Sequence, residues 1–261
     1  MQEPTRHVEP RLPSAMEALA RDAGNSALFL DCDGTLLDIA LSPDTVTVPA
    51  GLVELLVHVS KRLDGALAIL SGRQLAEIDH LLAPAKLIGA GVHGGELRIT
   101  PGGPITQVAT SLPNSLVERV ADVSRRMPGI IAEPKGPGLA VHYRLAPDMK
   151  EVIESVLRTI LSGYDGALVL CPGRKLFEII PKGYSKGTAL ETLAALPEFH
   201  GRRPIMIGDD VGDEPAIAAA MRLGGYGLRV AGEHFSTARA DLAGPRSVLA
   251  WLKELAQRLD A

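Results

Sequence analysis

Acidic residues crowd two short stretches of this chain. FLDCDGTLLD (29–38) sets Asp31 and Asp33 two residues apart at the end of an apolar run, 27–30. GDDVGDE (208–214) sets Asp209, Asp210, Asp213 and Glu214 at the end of another, 204–207. In extended chain, residues i and i+2 project to the same side, so Asp31 and Asp33 press like charges together. That is unfavourable unless a cation joins them or one carboxyl keeps its proton. Two further groups answer the charge: Ser71, Gly72 and Arg73, which end the apolar run 66–70, and Lys186, which opens a helical stretch. Together these residues fit phosphoryl transfer. Asp209, Asp210 and Asp213 beside Asp31 form an anionic pocket suited to Mg²⁺, which takes oxygen ligands and keeps water and substrate phosphate in its shell. Ser71, the N–H of Gly72 at an expected helix N-terminus and the Lys186 ammonium suit phosphate oxygens. Asp31 is then the in-line nucleophile forming an aspartyl-phosphate, and Asp33 the acid for the leaving alkoxide and the base for water. Arg73 is given no role. Hydrolysis of phosphate monoesters calls for accelerations up to ~10²¹, so nucleophile, metal, clamp and acid are all needed.

The elements that must position these groups follow from periodicity. Short apolar runs at 27–30, 66–70, 86–88 and 204–207 read as buried parallel strands. Helical spacing falls at 14–23, 49–63, 72–82, 185–196, 213–221 and 248–259, with Ser185 as an N-cap. The alternation predicts an α/β fold, a Rossmann-like parallel sheet with helices on both faces, whose ligands bind beyond the carboxyl ends of the strands. The stretch 105–182 differs. Helical patterns at 114–126 and 148–161 interleave with polar–apolar alternation, clearest in LAVHYRLA (139–146), where His142 and Arg144 share one face and Val141, Tyr143 and Leu145 the other. Such alternation marks an antiparallel sheet with one exposed face. A smaller α+β cap domain, 107–183, is therefore expected to be inserted into a core of 14–106 and 184–261, with PGGP (101–104) and PKG (181–183) as turns near the junctions. Residues 1–13 are expected to be a disordered lead-in.

DCDGT, the SGR strand end, Lys186 and GDDVGDE resemble the four motifs of the haloacid dehalogenase superfamily. ILSGR (69–73), GVHGGE (91–96), EPKG (133–136), HYR (142–144) and FEIIPKGYSKG (177–187) extend the likeness, in order, to the trehalose-6-phosphate phosphatases. The resemblance covers roughly 27–255. It implies Mg²⁺ held by Asp31, the Asp33 carbonyl and Asp209, with Asp210 and Asp213 in support. It implies sugar hydroxyls held by Glu133, Lys135 and Glu178, and it draws His93, His142, Arg144 and Lys182 into the expected substrate-binding set. The cap then closes over a sugar phosphate and sets specificity.

Other patterns compete. GAGVHG (89–94) fits G-x-G-x-x-G, but that fingerprint must open a helix, whereas ELRIT (96–100) continues as strand. GYSKG (183–187) is a formal G-x-S-x-G elbow with His234 downstream, and HGGE (93–96) resembles an esterase oxyanion loop. A metal-free serine esterase using Ser185 is thus a rival, although it leaves both acidic motifs without a role. A phosphatase for another sugar phosphate and a non-catalytic sugar-phosphate sensor are the remaining alternatives. Composition narrows the field. A net charge of −4 and 3% aromatics argue against a nucleic-acid surface, and no stretch approaches the roughly 18 apolar residues of a membrane span. The N-terminus lacks the apolar core of a signal peptide. Two cysteines, Cys32 and Cys171, suggest no disulfide framework, so the expected setting is the cytosol, with no obligatory protein partner.

Overall fold

The computed structural model of the chain describes residues 11–40 and 45–261. In order these run α1 (Arg11–Arg21), β1 (Ser26–Leu30), α2 (Leu52–Arg62), β2 (Leu67–Leu70), α3 (Leu75–Leu81), β3 (Ile88–Gly91), β4 (Glu96–Arg98) and β5 (Thr106–Gln107). Next come α4 (Asn114–Arg125), β6 (Ile131–Lys135), β7 (Gly138–His142), α5 (Lys150–Leu161), β8 (Leu168–Gly173) and β9 (Leu176–Pro181). The chain ends with α6 (Lys186–Ala194), β10 (Arg203–Gly208), α7 (Glu214–Arg222), β11 (Tyr226–Arg229) and α8 (Pro245–Asp260).

The first sheet has the order β11-β10-β1-β2-β3-β4-β5. Its five strands from β11 to β3 are parallel, and β4 and β5 add an antiparallel edge. Every residue of β1 is buried, as it must be when helices cover both faces. The α/β expectation is thus met. Strand β1 lies at the centre, and its neighbours β2 and β10 end beside it, which gathers Asp31, Ser71 and Asp209 at one end of the sheet. Strand β3 runs four residues from Ile88, not over 86–88, and β11 was not expected. Both IGAG and YGLR contain small residues, so neither displays the large apolar run by which a buried strand is recognised.

The second sheet has the order β6-β7-β9-β8 and is antiparallel. Leu139, Val141, Phe177 and Ile179 face a second apolar core, shared with Leu116 and Val120 of α4 and Ile153 and Leu157 of α5. The other face carries Glu133, Lys135, His142 and Glu178, placed together by the register Glu133↔Ala140↔Glu178. Alternation alone gives this face to solvent, whereas the family resemblance gives it to a sugar. The face turns toward the first sheet, and Glu178 is only 7% exposed. In LAVHYRLA the strand ends at His142; Tyr143 still joins the second core and Arg144 the cavity side, but Leu145 is exposed.

Helix α1 begins at Arg11, so residues 11–13 of the expected lead-in are helical, Pro13 being tolerated in a first turn; residues 1–10 lie outside the described residues. PGGP forms the turn between β4 and β5. No helix among the described residues is long and apolar enough to cross a membrane.

Candidate active site

Beyond the ends of β1, β2 and β10 lies a cavity of about 470 Å³, roofed by the second sheet. Its floor is acidic. The Ser185 hydroxyl accepts a hydrogen bond from the Thr188 N–H at 3.1 Å, capping α6 and fixing Lys186 as its first residue. An ammonium there opposes the helix dipole. Two carboxylates offset this: Lys186 Nζ donates to Asp31 Oδ1 at 2.5 Å and to Asp213 Oδ1 at 2.6 Å. The other Asp213 oxygen accepts from the N–H groups of Asp209 and Asp210, at 3.0 Å each. Asp213 therefore acts as a bracket, joining the turn after β10 to the lysine.

Oxygens of Asp31, Asp209 and Asp213 lie within 4.8 Å of one another. Burial, with Asp213 adding to it and Lys186 opposing, pushes the Asp31 carboxyl up to about 7. Burial, then Asp31 and Asp213, pushes Asp209 up to about 9. Three carboxylates face one ammonium, and Asp209 Oδ1 is buried with no hydrogen-bond partner. An all-oxygen set with an orphaned buried atom fits a hard divalent cation. Gly34 makes room for it: its φ is +85°, and a Cβ would stand 2.1 Å from Asp209 Oδ2, so no other residue passes there. Asp210, half-buried, caps the next turn through Val211 N–H at 2.7 Å, and burial raises its carboxyl.

One wall is built by the end of β2. Ser71 is buried, and its hydroxyl accepts from the Arg73 N–H at 3.1 Å. Arg73 grips Asp33 with both prongs, Nε to Oδ2 at 2.6 Å and Nη2 to Oδ1 at 2.8 Å. Its burial alone would ease deprotonation, but the Asp33 contact outweighs this and raises its pKa. Sequence reasoning missed this arginine. SGR carried no clear signal for this grip, because β2 ends at Leu70 and the chain bends at Gly72 and Arg73, so spacing alone does not aim the side chain. Glu77, 3.6 Å from Arg73, was missed as well. Gly72 lines the cavity but is not at a helix N-terminus, because α3 starts at Leu75. That helix end is already satisfied by Glu96 Oε2, 2.9 Å from Leu75 N.

The roof places Glu133, Lys135, His142, Arg144 and Glu178 on the cavity, and His93 reaches it from the turn after β3. His142 Nε2 lies 2.7 Å from Glu133 Oε2, and this bond, against the effect of burial, lowers the Glu133 carboxyl. His93 pairs with Glu178. Burial would raise the Glu178 carboxyl, yet His93, Lys135 and Lys186 bring it down to about 2. Arg144 Nη1 donates to the Ala40 carbonyl at 2.8 Å, joining roof to floor. Lys182 does not join the others. The sheet ends at Pro181, and Lys182 is exposed and outside the cavity lining.

The competing patterns meet different structures. Strand β3 leads through a single turn into β4, so GAGVHG opens no α-helix. The Ser185 hydroxyl serves its own helix, while His234 pairs with Glu214 at 2.7 Å. Both cysteines are free, and neither lines the cavity.

Comparison with known proteins bears on the same residues. A family model described as trehalose-phosphatase matches residues 29–242. A probable trehalose-phosphate phosphatase from Sinorhizobium fredii is 41% identical over 218 residues, covering 82% of this chain and 81% of that one. The trehalose-6-phosphate phosphatase of Escherichia coli is 35% identical over 234 residues, covering 89% and 87%. Among solved structures, the C-terminal domain of the Candida albicans trehalose-6-phosphate phosphatase shares the fold with a TM-score of 0.77 at 23% identity, over 94% of this chain and 96% of that one. A haloacid dehalogenase-like hydrolase from Bacteroides thetaiotaomicron shares it at a TM-score of 0.62. The matched segment includes every floor, wall and roof residue named above, and the chain belongs to the trehalose-phosphatase family.

Proposed function

We propose that this protein hydrolyses trehalose 6-phosphate to trehalose and phosphate, with Asp31 as nucleophile and Mg²⁺ as cofactor. One observation carries the reading: a buried triad of carboxylates, two of them paired with a single lysine, lies at the floor of a cavity whose roof is lined with hydrogen-bonding groups. Lys186 holds Asp31 in place and offers positive charge where phosphate oxygens arrive. The Ser71 hydroxyl and the Gly72 N–H take up the remaining phosphate oxygens. Asp31 attacks phosphorus and forms the aspartyl-phosphate. Asp33, aimed by Arg73, protonates the departing sugar oxygen and then accepts the proton of the water that cleaves the acyl phosphate. Mg²⁺, held by the Asp31 and Asp209 carboxylates and the Asp33 carbonyl, would supply charge stabilisation of the transferring phosphoryl group. Asp210 and Asp213 fix the turn that presents Asp209.

The first sheet and its helices form the core in this reading, and the stretch between β5 and α6 forms an inserted cap. Glu133, Lys135 and Glu178 bind sugar hydroxyls, with His142 and Arg144 beside them. Their charges and distances support this, since a polar sheet face buried over a cavity needs partners. Lys182 is left out of the set. We assign the protein to the cytosol, in keeping with two cysteines that stay unpaired.

The test is phosphate release from a panel of sugar phosphates with and without Mg²⁺. Trehalose 6-phosphate should be turned over best, EDTA should abolish turnover, and Asp31→Asn should be inactive. Comparable turnover of several esters would sink the substrate assignment. Activity in the Asp31→Asn protein would sink the nucleophile assignment.

A further inference from the structure

His93 lies on the most strained backbone of the cavity. It and Val92 are successive non-glycine residues in the left-handed region, with φ of +53° and +47°. A β-branched residue there is a genuine outlier, and such a conformation persists only where its surroundings enforce it. Here they do. The Val92 N–H donates to the Arg73 carbonyl at 2.9 Å and the His93 N–H to the Ser71 carbonyl at 3.1 Å. The turn is thus bolted to the strand end that carries the phosphate-binding serine.

What the strain achieves is the placement of the ring. The imidazole occupies space that Gly72 leaves open and packs beside Gly212. A Cβ on Gly72 would stand 2.8 Å from His93 Nε2, and one on Gly212 would stand 3.5 Å from Cε1. Nε2 then meets the Glu178 carboxylate of the roof, with the His93 and Glu178 side chains 12% and 10% exposed. One ring therefore spans the end of β2, the turn after β10 and strand β9. With Nε2 spent on Glu178, the ring reaches the sugar through that carboxylate.

Building on the sugar-phosphatase reading above, we propose that His93 is a positioning residue: it holds Glu178 at the angle the sugar requires, and so registers the roof against the phosphate-binding end of the floor. A small ester without a sugar does not extend to Glu178 and gains nothing from this arrangement. The sugar ester does.

The test compares wild type, His93→Ala, His93→Gln, Glu178→Gln and the His93→Ala/Glu178→Gln double variant, measuring kcat and KM separately on trehalose 6-phosphate and p-nitrophenyl phosphate. In His93→Ala the ratio of kcat/KM for the two esters should fall about tenfold or more, mainly through KM of the sugar ester. His93→Gln, which keeps an N–H donor, should recover most of that ratio. The double variant should be no more than about twofold worse than Glu178→Gln alone. Equal losses on both esters, or losses that multiply in the double variant, would overturn the proposal. If His93→Ala does not fold, the same cycle run with His93→Phe, which fills the space without an N–H donor, decides: its ratio must fall about tenfold where that of His93→Gln does not, and adding it to Glu178→Gln must cost no more than about twofold. Wild-type protein that hydrolyses p-nitrophenyl phosphate but ignores trehalose 6-phosphate would overturn the substrate reading instead, and this proposal with it.

Discussion

Replacing Asp209 by asparagine should stabilise the protein while destroying its activity. Asp209 is 3% exposed, sits within 4.8 Å of two other carboxylates and has one oxygen without a partner. Its carboxyl is raised from 3.8 to about 9, and that of Asp31 to about 7. A carboxyl raised in the folded state favours folding below its unfolded pKa, and that contribution is lost as pH rises toward the folded value. At pH 8 in EDTA, Asp209 alone works against folding by roughly 4 pH units at about 1.36 kcal/mol each, on the order of 5 kcal/mol. In a chain of this size each kcal/mol moves Tm by roughly 2–4 °C. Wild-type Tm in EDTA should therefore fall by roughly 10 °C or more as pH rises through the range from about 5 to 9. Saturating Mg²⁺ should restore it, with a gain that grows with pH, because a ligand stabilises the state that binds it. Asp209→Asn should raise the metal-free Tm at pH 8 by roughly 5 °C or more, lose that gain near pH 4, and respond little to Mg²⁺. Thermal scans across pH, with and without metal, measure all of this. A wild-type Tm in EDTA that stays flat with pH, or an Asp209→Asn protein that melts below wild type at pH 8, would refute the reasoning.

Three further outcomes follow from other parts of the fold. Glu178, lowered from 4.5 to about 2 despite its burial, contributes stability above its unfolded pKa that is lost as pH falls through the lower value. Glu178→Gln should therefore cost about 3 kcal/mol in urea unfolding at pH 7 and much less near pH 2. Arg98, 2% exposed, holds Asp79 by two bonds at 2.6 and 2.5 Å and also donates to the Gly103 carbonyl. Arg98→Leu strands that carboxylate and should cost about 3–5 kcal/mol by the same assay, with kcat per folded molecule retained. Ser185→Ala removes the α6 cap and should cost about 1 kcal/mol while phosphate release persists; loss of all hydrolysis with the fold intact would instead favour the serine-esterase reading.

The floor of the site was legible in the sequence because its chemistry and its geometry share one cause. A buried parallel strand must read as an apolar run, so the residues just after the run are marked as lying at the carboxyl end of the sheet, where ligands bind. Asp31, Ser71 and Asp209 were found in this way, and Lys186 because a cation opening a helix needs an anionic reason to be there. The roof was legible only in part. Alternation revealed which side chains share a face, but a polar face reads alike whether it meets water or a cavity, and only the packing of one sheet over another makes Glu178 a buried charge. Arg73 escaped for a related reason: at a strand end an arginine that solvates a helix and one that grips Asp33 share the same spacing. His93 was the hardest to read. Its placement depends on a left-handed turn built from Val92 and His93 themselves, where sequence rules expect glycine or asparagine. Local preference and tertiary demand disagree there, and such disagreement is where function is expected to have imposed its terms on the fold. The strain at 92–93 is sustained by hydrogen bonds to Ser71 and Arg73, the same strand end that lines the cavity. Substrate grip and backbone strain are therefore parts of one structure, and a change that relaxes the turn should loosen the sugar before it loosens the protein.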